Sequence, residues 1–239
     1  MSEAQKLLFI DIETSPALIA SFSIRAPHAQ AVWIEKHSFM LCFAARWAHE
    51  KRIRVHSLPD YKTFKKDIHS DIELCSELSN YLTVPGVIAC AHNGDRFDLP
   101  FIHGRMWVNK QKPPPPIPTI DTLKIAKRLR LDSHKLDILG RYKHLGHKRP
   151  NTGKDLWADC YRGDVAAHKE MGRYCAQDVN LLSTVYDDLA PWMKRHPVLF
   201  DDGCPVCGSQ AIHRRGRVRQ TTKFQFNCTD CGHWWTAKP

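Results

Sequence analysis

The run Leu7-Leu8-Phe9-Ile10-Asp11-Ile12-Glu13 limits what this chain can become more than any other stretch. Residues 6–14 place apolar side chains on both alternating faces, as a strand buried on both sides does and an edge strand in water does not. Two acids nevertheless interrupt the run. In a strand, residues two apart leave the same face, so the Asp11 and Glu13 carboxylates should emerge side by side. Burying two adjacent like charges is costly unless a proton or a cation neutralises them. Such a strand needs a sheet around it and a positive partner beside it.

The following residues supply the sheet. Residues 39–47 and 52–57 read as strands joined by a turn at His49-Glu50, and 87–91 reads as a short buried strand. Helical spacing recurs over 63–82, 97–108, 121–131, 135–145 and 165–194, with Phe101 and Trp107 expected in the core. The proline-rich stretch 113–118 can be neither helix nor central strand and reads as a stiff extended loop. Residues 15–38 are open between a hairpin insertion and a loop. Strands first and helices afterwards, with a strand–helix–strand crossover, give an α/β sheet layered with helices. Pro197 and the turn Asp201-Asp202-Gly203 mark a boundary near 200, dividing a body, 1–200, from a tail, 201–239.

A body of that size buries roughly 70% of the surface of its unfolded chain, so its core needs no disulfide staples. Cys42, Cys75, Cys90, Cys160 and Cys175 are scattered and read as buried, reduced thiols. No apolar run approaches the roughly 20 residues of a membrane span. No basic segment followed by a long apolar stretch opens the chain, so the expected compartment is the cytoplasm, in a bacterial or phage-infected cell. Lysine and arginine total 35 against 25 acids, a net charge of +10 that favours a polyanionic partner.

Two further segments push acids inward. Ala91-His-Asn-Gly-Asp-Arg-Phe-Asp98 leaves a buried strand and enters a helix, which sets its acids at the strand's C-terminal end, where open α/β sheets form their sites. Asp95 and Asp98 compete for a functional role, and helix capping accounts for either one. In the last helix Met171, Tyr174, Asp178, Leu181, Val185 and Leu189 recur at spacings of three and four, so Asp178 lies on the core-facing stripe with Tyr174 one turn earlier. A buried Tyr–Asp hydrogen bond is the purely structural alternative. Three separate segments, each aiming a carboxylate inward, are economically explained by divalent cations, and hard oxygen ligands suit Mg²⁺ or Mn²⁺. Asp121 reads as a helix cap. Lys124, Lys127, Arg128, Arg130 and the basic stretch 144–150 read as solvated faces able to hold phosphates.

On these residues the chain resembles a known family. Asp11-Ile-Glu13-Thr resembles the first motif of the DEDD exonucleases, which have a ribonuclease H-like fold. Asn93-Gly-Asp-Arg-Phe97-Asp98 resembles their second motif, which selects Asp98 over Asp95, and Tyr174-Cys-Ala-Gln-Asp178 matches the tyrosine form of the third. The histidine form would need a histidine where Arg173 stands. The body is similar to family-B-polymerase-like proofreading domains and to stand-alone phage-type relatives. The resemblance implies a ribonuclease H-like mixed sheet flanked by helices, in which Asp11, Glu13, Asp98 and Asp178 hold two Mg²⁺ or Mn²⁺ ions about 3.5–4 Å apart. It implies that Tyr174 orients the attacking water, that Asn93 lies against the substrate, and that 5′-nucleoside monophosphates leave one at a time from a 3′ end, of DNA ahead of RNA. The alternatives are a structure-selective endonuclease of the same fold and a non-catalytic nucleic-acid-binding module.

The tail carries Cys204-Pro-Val-Cys207-Gly and Cys228-Thr-Asp-Cys231-Gly, two knuckles separated by 20 residues. Each pair can grip one ion through two thiolates, and four thiolates make a closed structural zinc site. A segment of 39 residues has too little core to fold alone, so the metal supplies stability, as in the zinc ribbon it resembles. Arg214, Arg215, Arg217, Arg219 and Lys223 lie between the knuckles with Phe224, Phe226, Trp234 and Trp235 nearby, a composition suited to single-stranded nucleic acid. Alternation should put Arg217 and Arg219 on one strand face. The tail is formally +3, but zinc with four thiolates carries −2, so it offers a local arginine patch and no strong global field. Docking to a replication or repair protein is the other expected use.

Overall fold

A computed structural model describes residues 6–23, 25, 30–146, 153–193, 196–200, 202–218 and 221–237. Strand β1 (Lys6–Thr14) is followed by the short pair β2 (Leu18–Ala20) and β3 (Trp33–Lys36), then by β4 (Met40–Trp47) and β5 (Arg54–Ser57). Helix α1 (Ile72–Leu82), β6 (Val87–Ala91), α2 (Asp98–Val108) and β7 (Thr119–Asp121) come next. Helices α3 (Thr122–Ala126), α4 (Leu136–Tyr142), α5 (Lys154–Tyr161) and α6 (Val165–Leu189) complete the body. Strands β8 (Ile212–Arg217), β9 (Phe224–Cys228) and β10 (Trp234–Ala237) make the tail.

The main sheet has the order β5-β4-β1-β6-β7. β4 runs antiparallel to β1 and to β5, while β6 runs parallel to β1 and to β7, so the sheet is mixed and β1 is its central strand. Burial follows: Leu7 to Ile10 are all buried, and exposure begins at Asp11. Period two sorts the faces. Phe9 meets Tyr186 of α6, ring centroids 5.3 Å apart, so Asp11 and Glu13 share the α6 face. On the opposite face Phe43 meets Tyr81 of α1 at 5.8 Å. Helices α3, α4 and α5 pack on α6. Where α4 meets α6 the fit is close: a Cβ on Gly140 would lie 2.6 Å from the Gly146 carbonyl and 2.7 Å from Leu181 Cδ1.

Several expected boundaries shift. The helix expected over 63–82 is broken: a 3₁₀ turn covers Lys62–Lys65, and α1 begins only at Ile72. Glu73 accepts hydrogen bonds from the Thr63 N–H and hydroxyl, both at 2.7 Å, which folds the preceding segment back on the helix start. Beside it, wholly buried Asp71 receives the Met40 N–H, two N–H groups of Arg105 and the Asn109 amide. This bonded ion pair ties β4, α1 and α2 together, and removing one partner would strand a buried charge. Residues 121–131 form only the short α3, and 135–145 only α4. α6 ends at Leu189 instead of 194 because Pro191 begins a 3₁₀ turn, Ala190–Trp192. Residues 15–38 include the antiparallel pair β2–β3, the hairpin alternative. Trp107 is 81% exposed, not core: α2 buries Leu99, Ile102 and Met106, and Trp107 lies off that stripe. β7 and α5 carry too short a periodic signal to be anticipated.

No helix among the described residues is long and apolar enough to cross a membrane. The five scattered cysteines are buried and free.

Candidate active site

One carboxylate oxygen each of Asp11, Glu13 and Asp178 lies within 4.8 Å of the others. Two come from the central strand and one from the middle of the helix crossing it. Asp178 is 2% exposed, as its place on the apolar stripe requires. Tyr174 stands one turn before it, half-buried, with its ring 5.9 Å from Trp157 of α5.

Asp98 stands outside this set of three but against the same strand. β6 pairs with β1 only as far as Phe9↔Cys90 and ends at Ala91, so the C-terminal half of β1 has no neighbour on that side. The turn Asn93–Asp98 fills the gap, and the Asp98 carboxylate accepts the backbone N–H of Ile12, between the two acids of β1. Burial pushes Asp98 up to about 7, against hydrogen bonds from its own and the Ile12 N–H, with Asp121 adding to the rise. Asp95 turns away to pair with Lys124 at 2.6 Å, so Asp98 is the acid of this segment that is held against β1. Asn93 has φ of +70°, a conformation asparagine tolerates, and its N–H donates to Asp121 Oδ1 at 2.9 Å. Asp121 also caps α3, as expected. Asn93 opens onto a cavity of about 510 Å³ lined by His92, His134, Lys135 and Asp137.

One neighbour of the site carries only a faint sequence signal. The Cys175 thiol donates to Asp11, 3.3 Å from its carbonyl and 3.4 Å from Oδ2. Burial holds Cys175 well above the ordinary thiol range, with Cys42 and Asp11 adding to the shift, so it stays protonated and remains a donor. Its position three residues before Asp178, on a stripe otherwise read as core, was the only available clue.

The donor sets fit the expected ions. Three converging carboxylates are hard oxygen ligands of the kind Mg²⁺ and Mn²⁺ take. In the tail, Cys204, Cys207, Cys228 and Cys231 bring their sulfurs within 4.8 Å of one another, with Cys204–Cys231 and Cys207–Cys228 both at 3.7 Å. A tetrahedron with Zn–S bonds of about 2.3 Å has edges of about 3.8 Å, so the spacing suits zinc and is far too long for a disulfide. Against the burial penalty, backbone hydrogen bonds of Cys231 and Asp230 bring the Cys228 thiol down to about 7, while burial and the neighbouring sulfurs push Cys231 of the same knuckle up.

The tail rests on the end of α6. Tyr186 donates to His196 Nε2 at 2.6 Å, His196 lies 6.1 Å from His233, and His233 stacks on Trp235. Arg214, Arg215 and Arg217 are exposed on β8. β8 ends at Arg217, and Arg219, expected to share its face, lies outside the described residues.

The sequence matches the family model described as RNase_H superfamily (RNase_H_2) over residues 35–190. That range includes Asp98, Tyr174 and Asp178, while Asp11 and Glu13 precede it. A search of curated proteins gave no match. Among solved structures, the family B DNA polymerase from the hyperthermophilic archaeon Pyrobaculum calidifontis is similar with a TM-score of 0.50 at 14% identity, covering 78% of this chain and 25% of that one. The chain thus spans a quarter of that polymerase's length, and the likeness carries the fold alone. With a mixed five-stranded sheet, acids at the open end of its central strand and a family match over well over half its length, this chain belongs to the RNase_H superfamily and has a nuclease fold.

Proposed function

We propose that the chain is a metal-dependent 3′→5′ exonuclease that releases 5′-nucleoside monophosphates from nucleic acid, DNA ahead of RNA. The observation that carries this reading is the convergence of Asp11, Glu13 and Asp178 on one face of the central strand. Asp11, Glu13 and Asp178 hold divalent metal, and Asp98, anchored to the Ile12 N–H, completes the acidic wall. Metal held there would supply Lewis acidity toward a phosphoryl oxygen and would lower the pKa of a nearby water toward neutral pH. Tyr174 holds the attacking water through its hydroxyl and orients it along the line of displacement. Cys175 fixes Asp11 by its thiol hydrogen bond and so keeps that ligand's orientation between turnovers. Asn93, at the mouth of its cavity, faces the 3′-terminal nucleotide. Residues 1–200 form the catalytic unit, and residues 201–239 form an appended ribbon built on one structural zinc.

The test is hydrolysis of an end-labelled single strand with Mn²⁺ by wild type, Asp11→Ala and Asp178→Ala. Stepwise shortening from the 3′ end by wild type only is expected; equal inactivity of all three would end the catalytic reading. A 3′-blocked strand separates directions, because internal cuts there would make the enzyme an endonuclease of the same fold.

A further inference from the structure

The arginines of β8 are not arranged as a regular strand would arrange them. Residues three apart in an unbroken strand face opposite sides. Between Arg214 and Gly216 the register with β9 shifts, and Gly216 sits at φ of +126°, a conformation that favours glycine. The inserted residue returns Arg214 and Arg217 to one face, with Arg217 opposite Phe224. The Arg214 guanidinium carbon lies 3.5 Å from the Phe224 ring centroid and that of Arg217 lies 5.4 Å away. The bulged Arg215 goes to the other face, over Trp234 at 5.7 Å, with its Nη2 donating to Asn227 Oδ1 at 3.4 Å.

This changes what the aromatic ring can do. The expectation for such a patch is that bases stack on Phe224, but the ring is half-buried and already covered by cations. A guanidinium laid flat on a ring keeps its N–H edges free, is weakly hydrated and is held in orientation, which suits bidentate contact with a phosphate. Among the described residues no carboxylate pairs with Arg214 or Arg217, and both are exposed. Two braced guanidiniums on one face, unpaired with acid, on a chain of net charge +10, make a receptor for a repeating anion.

We propose that Arg214 and Arg217, braced on Phe224, form a clamp for the phosphate backbone of single-stranded nucleic acid. The choice of nucleic acid over an acidic protein rests on the nuclease reading of the carboxylate site. The clamp reads no bases. It adds affinity at a point remote from the reacting phosphate, since the ribbon meets the body beyond the C-terminal end of the helix that carries Asp178.

The experiment is fluorescence anisotropy of a labelled single strand with the full, zinc-loaded chain, without added Mg²⁺ or Mn²⁺, over a range of salt. Each phosphate contact on a single strand contributes about 0.7 to the slope of log affinity against log salt, so Arg214→Gln with Arg217→Gln should lower the slope by about 1.4 and weaken binding equally for different sequences. Arg214→Lys with Arg217→Lys keeps the charge but loses the flat, forked donor. It should keep the slope and still weaken binding several-fold. Zinc content of one per chain in each variant certifies the ribbon. Unchanged slope and affinity in the glutamine variant, with wild type degrading the strand once Mn²⁺ is added, would overturn the clamp and leave the nuclease reading standing. A wild type that neither binds nor degrades would overturn both. Equal, arginine-dependent binding of polyglutamate would transfer the site to an acidic protein partner.

Discussion

Asp11 and Asp178 are 167 residues apart in the chain, whereas Cys204 and Cys231 are 27 apart. The carboxylates are brought together by packing: β1 lies at the centre of a sheet whose core includes Leu8, Ile10, Leu41 and Phe43, and α6 crosses it on one side. The thiolates belong to two tight turns at the ends of a small three-stranded sheet with few wholly buried side chains. In the body, hydrophobic burial positions the carboxylates in advance, so on the proposed reading metal would bind and leave without the fold following it. In the ribbon, the proposed zinc would stand in for a core, and its binding would be folding. The donor chemistry differs in the same direction: three hard oxygens converge in the body and four soft sulfurs in the tail, the sets that suit an exchangeable and a permanent cation respectively.

The sharpest way to break this contrast is to remove one thiolate. Cys231→Ser should unfold the ribbon, because structural zinc in small domains contributes about 10–16 kcal/mol of apparent binding energy. The body should keep its own cooperative melting transition. Calorimetry with zinc analysis checks this, and a body that melts with the ribbon would show that the two are one folding unit.

Next in size is Tyr174→Phe. Loss of the hydroxyl should slow single-turnover hydrolysis by about 10²–10⁴-fold while Mn²⁺ binding, read by electron paramagnetic resonance, stays unchanged. Equal rates would return Tyr174 to a packing role beside Trp157.

Leu78→Ala probes the other half of the contrast. Leu78 is wholly buried in the body core, and its truncation should cost about 2–5 kcal/mol in urea unfolding. Zinc occupancy should not change; zinc loss in step with body unfolding would mean that the ribbon borrows its stability from the body.

The smallest effect is expected where the two regions touch. His196 Nδ1 donates to the Pro197 carbonyl and Nε2 accepts from Tyr186, so the folded ring is neutral, and burial holds its pKa below the ordinary value. His233 faces it from the ribbon and Tyr186 from α6. In the unfolded chain the ring protonates near about 6.5. The unfolded or undocked state therefore binds more protons below that pH, and the contact should be fully formed above it and weaken as pH falls through it. Tryptophan fluorescence against pH is the measurement, with a shallower curve expected for His196→Gln because burial also holds His233 below its ordinary value; a flat wild-type curve would remove His196 from the contact.

Much of this molecule is legible in the sequence where a local period carries the information. The apolar run of 6–14 points to a central strand with two acids on one face, and the stripe from Met171 to Leu189 places Asp178 inward, both as found. The knuckle spacing points to a four-cysteine cluster, as found. Legibility failed where a distant segment overrides the period. Residues 63–71 have helical spacing but are turned back by Glu73 and by the Asp71–Arg105 pair, whose partner lies 34 residues away. Trp107 reads as core because its hydrophobicity carries no statement of which side of α2 is buried.

By itself, then, the sequence determined the donor types, their order and the faces of their own elements, because alternation and helical spacing are properties of a single segment. Only the tertiary structure decided that Asp98 would seal the open side of β1, that Cys175 would touch Asp11, and that a bulge would turn two arginines onto one phenylalanine. Those relations depend on where one strand ends beside another and on how two strands register, and neither is written in the periodicity of either partner.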